Sequence, residues 1–189
     1  MLLGQLRPKH TIQGNEREYT NMKNTRTLVK GALILIMALL LSLGCLAAAP
    51  QSFFDEVTVG ELLTTVCRMH AAYTGDADAS TISGENGDYS AVLAYAQTAG
   101  ILASDPDCSR NATRVDAAKL LYAALPESEY PVINNNIRTV ADMTAWSDGY
   151  RQTLSLARAG VIDGVDNNGT FEPNRNVTVA ELNDLVSRV

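Results

Sequence analysis

Residues 176–186 read NVTVAELNDLV, and two upstream stretches repeat the phrase: EVTVGELLTTV at 56–66 and NATRVDAAKLL at 111–121. Each has Thr, two residues, an acid, then an apolar run. In Thr58-x-x-Glu61, Thr113-x-x-Asp116 and Thr178-x-x-Glu181 the hydroxyl can accept the N–H three residues on, while the carboxylate reaches back to the Thr N–H. Asp116 is one methylene shorter than Glu, which predicts a weaker middle box. An acid in a first helical turn also meets the positive end of the helix dipole. Apolar residues then recur at helical spacing: Leu62, Leu63, Val66, Met69 and Tyr73; Ala117, Leu120, Leu121 and Leu125; Leu182, Leu185 and Val186. Each phrase therefore predicts the start of an amphipathic helix. Capping alone accounts for the Thr and the acid without any ligand.

A second helical pattern precedes the phrase twice, at 88–104 and 148–164. Both end in Ala-Gly and a β-branched residue, Ala99-Gly100-Ile101 and Ala159-Gly160-Val161. Glycine suits a left-handed helix end, and the apolar residue after it can turn back onto the helix. Asp-Gly and Asn-Gly pairs around Thr170-Phe171, followed by Pro173, predict a tight, hairpin-like loop in the last connector. That loop is not an EF-hand: Phe171 falls where glycine is required and no acid holds the twelfth place. The expected fold is all-α, a helix–loop–helix array with periods of 55 and 65 residues. Units of this kind bury their apolar faces on one another.

The third unit resembles the repeat of the S-layer homology family. Trp146-Ser147-Asp148 looks like that repeat's opening aromatic-x-Asp, and Gly160-Val161-Ile162-Asp163-Gly164 like its glycine turn. Gly169-Thr170-Phe171-Glu172-Pro173-Asn174 looks like its loop, and Thr178-Val179-Ala180-Glu181 like its Thr-Arg-Ala-Glu helix start with Val in place of Arg. The second unit keeps Thr113-Arg114. The first keeps only its closing helix. The resemblance divides 50–189 into a partial repeat 1 at 55–75, repeat 2 at 88–127 and repeat 3 at 146–189.

The resemblance implies a pseudo-threefold, mostly helical prism that binds secondary polysaccharide linked to peptidoglycan, often pyruvylated. The Arg of the phrase would grip the ligand in grooves between repeats, where a guanidinium offers a carboxylate a planar fork of donors. The implied ligand-binding positions are Thr113, Arg114, Asp116, Trp146, Asp148 and Glu181. Only Arg114 survives of three expected arginines. Repeat 1 lacks its opening helix, so one apolar face is left open, or PQSFFDEV (50–57) covers it with Phe53 and Phe54, or an envelope protein does. The function implied is cell-wall anchoring without catalysis or cofactor. The alternative is a degenerate scaffold that binds another surface protein and no glycan.

Residues 22–49 have the three parts of a secretory signal: basic Lys23, Arg26 and Lys30, an apolar run over 31–43, and small residues before Pro50. Cleavage after Ala47 or Ala49, lipidation at Cys45 and retention as an anchor all stay open. Each puts the body outside the cytoplasm, at the bacterial cell surface, with membrane contact only through this segment if it is uncleaved or lipidated. Met22 is the natural start, and residues 1–21 are expected to be an over-called upstream extension.

Residues 1–45 hold six basic and two acidic residues of totals of 15 and 21, which leaves nine and 19 in 46–189, a net charge of −10. A body this acidic excludes non-specific nucleic-acid binding, which needs clustered Lys and Arg. Cys67 and Cys108 form an even pair in an oxidising compartment, so a disulfide or two free thiols are both open. Arg110 and Arg175 lie just before their Thr phrases and read as solvated loop residues or as added positive charge near a groove. His70 reads as a surface or packed histidine, and with no nucleophile motif nearby a Ser-His-Asp site is not expected. Asp76, Asp78, Glu85 and Asp88 fall in a Gly/Ser-rich loop and offer at most a weak metal site. No metal or cofactor is expected.

Overall fold

A computed structural model describes residues 52–75, 78–84 and 86–189. These residues are mostly helical: α1 Val59–Thr74, α2 Ser90–Thr98, α3 Arg114–Ala124, α4 Tyr150–Arg158 and α5 Val179–Ser187, with short 3₁₀ turns at Ala79–Thr81 and Glu127–Glu129. Among the described residues there is no β-strand, only isolated bridges. No described helix is long and apolar enough to cross a membrane. The signal at 22–49, the extension at 1–21, Cys45, Asp76 and Glu85 lie outside the described residues.

All three phrases start helices as expected. Thr58, Thr113 and Thr178 are N-caps in extended conformation, and each capping box is complete in both directions. The middle box is not weaker. Asp116 Oδ2 accepts from Thr113 N at 2.8 Å and from the Thr113 hydroxyl at 2.7 Å, where Glu181 Oε2 accepts from Thr178 at 3.1 and 3.4 Å. The third helical residue already faces the cap, so the shorter side chain reaches it. Gly100 and Gly160 end α2 and α4 with φ of 73° and 76°. Ile101 N and Val161 N return to Ala96 O and Leu156 O, and both side chains are buried.

The extended residues ahead of the caps join the three phrases. Val57 N donates to Val177 O, Val177 N to Ala112 O and Ala112 N to Val57 O, at 2.8–2.9 Å, so the three bonds close into a ring. A second set repeats the pattern one step out: Val59 N to Arg110 O, Arg114 N to Arg175 O and Val179 N to Asp55 O. A third joins Gly60 N to Cys108 O, Val115 N to Pro173 O and Ala180 N to Phe53 O. Val57, Ala112 and Val177 are buried at the centre. At the rim Glu56 Oε2 accepts from the Asn111 and Asn176 amides, at 2.5 and 2.9 Å.

Around this ring α1 packs against α2 and α3, and α3 packs against α4. Leu62, Leu63, Val66 and Met69 of α1 are buried, with Val92, Leu121 and Leu156 from the neighbouring helices. Tyr73 is exposed and donates to Glu129 instead. Phe53 and Phe54 do not cover an apolar face: they are 69% and 87% exposed. Segment 53–57 closes the structure with its backbone: the Phe53 and Asp55 carbonyls and both polar backbone groups of Val57 bond to the other two phrases, while the Phe53 and Phe54 side chains face out.

Candidate functional site

Arg114 is the first residue of α3, and the ring bonds fix where it points. Its own N–H is held by Arg175 O and that of Val115 by Pro173 O, which sets the start of α3 against the 160–173 connector. The guanidinium then reaches across the seam. Nε donates to Phe171 O at 2.6 Å, Nη2 to Asp163 O at 3.1 Å and Nη1 to Glu181 Oε1 at 3.3 Å. Its central carbon stands 4.8 Å from the Phe171 ring centroid, a cation–π distance. Arg114 is 8% exposed. Burial pushes its pKa down and Arg175 adds to that, against the pull of Glu181, Glu172 and Asp142. It remains a cation, because a guanidinium keeps its proton in proteins.

The connector is shaped to meet it. Asp142 accepts Phe171 N at 2.8 Å and Glu172 N at 2.7 Å, one bond on each carboxylate oxygen. This holds Glu172 at a left-handed φ of 57°. Asp166 accepts Asn168 N and Thr170 N at 2.9 and 3.0 Å and the Thr170 hydroxyl at 2.8 Å, and Val165 N donates to Thr170 O. The tight loop expected from the Asn-Gly signal is therefore present, with Gly169 at φ 77°.

Arg110 and Arg175, each three residues before a capping Thr, are not free loop residues. Arg110 grips Asp116 with two bonds, at 2.7 and 2.9 Å. Arg175 grips Glu181 in the same way and also donates to Glu172 at 2.8 Å. Burial pushes Asp116 up, but Arg110 and the Thr113 N–H and hydroxyl outweigh it and hold the carboxyl at about 2. Glu181 is likewise held below its ordinary value: burial raises it, and Arg175, Thr178 and Arg114 pull it down further. Asp55 stands where the first phrase would need the Arg.

Of the residues the sequence singles out, the seam brings together Arg114 and Glu181. Thr113 and Asp116 belong to the cap of α3 and to Arg110. Trp146 is 95% exposed, on a turn closed by Thr144 and Ser147. Asp148, just before α4, pairs with Lys119 of α3 at 2.8 Å. Asp142 is the carboxylate that holds the connector. The residue spacing before α4 gave no reason to prefer it, because its partners are backbone N–H groups 29 and 30 positions away. Of the two alternatives for Cys67 and Cys108, the structure has two free thiols. Cys67 is buried on α1 with its sulfur 3.9 Å from Val92 O, and burial pushes the thiol up to about 12. Cys108 sits in the turn before the second phrase, and its carbonyl accepts from Gly60 N. His70 is packed, its Nδ1 2.8 Å from the Tyr95 hydroxyl.

No family model, curated protein or solved structure matches the chain.

Proposed function

We propose that residues 52–189 form a non-enzymatic module that anchors the protein to the bacterial cell wall. In this reading two full S-layer homology repeats and the closing half of a first stand about a pseudo-threefold axis. The ring of bonds through Val57, Ala112 and Val177 carries the proposal. Segments 55 and 65 residues apart meet through the same backbone groups, as repeats around an axis would. The resemblance supplies the ligand class, a polysaccharide linked to peptidoglycan, on a secreted protein. Trp146 supports it with an open ring face beside the Lys119–Asp148 bridge between α3 and α4.

The test is co-sedimentation with purified cell walls. The protein pellets with them, and Trp146→Ala lowers affinity roughly fivefold, the loss of about 1 kcal/mol of stacking. Trp146 is the right probe because nothing in the fold rests on its side chain. Arg114→Ala would instead strand Phe171 O, Asp163 O and a buried share of Glu181, and so report on folding. Absence of pelleting at every salt concentration ends the proposal. Exposed Phe53 and Phe54, beside the exposed start of α5 at Ala180, favour the second reading, an envelope scaffold. That reading predicts a hetero-complex on sizing and no wall binding.

A further inference from the structure

We infer that the wall polymer recognised by this module is uncharged, bound through sugar faces and hydroxyls rather than through ion pairs. The inference rests on the wall-binding reading and specifies its ligand.

The nine basic residues of 46–189 all lie among the described residues, and seven are committed internally. Arg110, Arg114, Lys119, Arg175 and Arg188 pair with carboxylates. Arg68 and Arg158 are tied to the carbonyls of Ile82 and Ile137. Arg138 and Arg151 alone are exposed with no described partner.

The seam where the resemblance would put the ligand's carboxylate is itself short of positive charge. Arg114 and Arg175 there face Glu181, Glu172 and Asp142, an excess of one negative charge. Three of the Arg114 nitrogens already donate to protein oxygens, and the side chain is 8% exposed. A ligand carboxylate entering this seam would compete with Glu181 and meet Glu172 and Asp142 without a free guanidinium to receive it. Beyond the seam, four cations without a described carboxylate partner, Arg68, Arg138, Arg151 and Arg158, stand against a body of net charge −10. The field such a body sets up repels a polyanion over a Debye length.

A neutral glycan escapes this penalty. Its C–H face can lie on the Trp146 indole, which is 95% exposed and carried on a hydrogen-bonded turn. Its hydroxyls can donate to the surplus carboxylates, which are acceptors only.

The two ligand classes give opposite responses to salt. The purified protein is pelleted with cell walls from about 20 mM to about 500 mM salt, over which the screening length falls from about 20 Å to about 4 Å. The same series is run on walls whose carboxylates have been converted to neutral amides. A neutral ligand keeps the bound fraction within about threefold, or raises it, as salt screens the repulsion and as the amides remove it. A drop of more than about threefold on adding salt or on amidation overturns the inference and leaves wall binding standing. Failure to pellet under every condition overturns the wall-binding reading and this inference with it.

Discussion

At the scale of single residues, one side chain often serves two masters. Asp116 closes the cap of α3 and also holds Arg110, and these bonds draw its carboxyl to about 2 against the opposing effect of burial. A carboxyl depressed in the folded state adds stability that is complete above its ordinary value near 4. That stability is lost as the pH falls through the folded value. The protein should therefore lose about 1–2 kcal/mol from this group between pH 4 and 2, a figure reduced for solvent screening. Asp116→Asn should be less stable at neutral pH by a similar amount and lack that component of the acid transition, as chemical denaturation at stepped pH would show. The capping role was legible from Thr-x-x-Asp alone. The grip of Arg110 was half legible: an Arg three residues before Thr occurs in both the second and third phrases. A loop Arg and a paired Arg read alike until the extended segment sets the distance. Arg114 shows the same limit, because its donors end on Phe171 and Asp163, 57 and 49 positions away.

At the scale of elements, the helices follow their sequence patterns closely, and the contacts between them depend on matched shapes. Gly60, Val115 and Ala180 hold corresponding places in the backbone ring. Tyr89 lies over Gly60, where an added Cβ would fall 2.4 Å from the ring. At the next seam the sizes are exchanged: Gly149 lies over Val115, with an added Cβ 2.3 Å from the Val methyl. Gly149 also has φ 71°, so a side chain there would be strained twice. Gly60→Ala should cost about 1–3 kcal/mol through overpacking. The cost should shrink markedly in a Tyr89→Ala background, and urea unfolding of the double-mutant cycle measures the difference. Ala180 is exposed, and so are the polar Asp184 and Ser187 that follow it. The helices thus end, at α5, on a solvated face. Of the three alternatives for the face that repeat 1 leaves, cover by Phe53 and Phe54 is excluded, because both side chains are exposed.

At the scale of the whole molecule, the ring is where the three phrases become one structure. Each of its bonds joins residues far apart in the chain, Val57 to Val177 being the longest. Detaching any one phrase breaks its bonds to both of the others, in all three sets. The amides of Val57, Ala112 and Val177 should therefore exchange only through global unfolding, while Asn168 N–H, held by Asp166 in an exposed loop, exchanges by local opening. Native-state hydrogen exchange across a denaturant series distinguishes the two; independent exchange at the three ring amides would mean the phrases open one at a time. By itself the sequence determined the helices, their Thr caps, their glycine ends and the apolar faces. These depend on neighbours three or four residues apart, and local sterics and hydrogen bonding settle them. Only the tertiary structure decided that the phrases meet through backbone groups, that Arg114 turns inward and that seven of nine cations are taken. Those outcomes depend on which backbone carbonyls and carboxylates arrive at a side chain from distant parts of the chain, and a backbone carbonyl has no letter in the sequence.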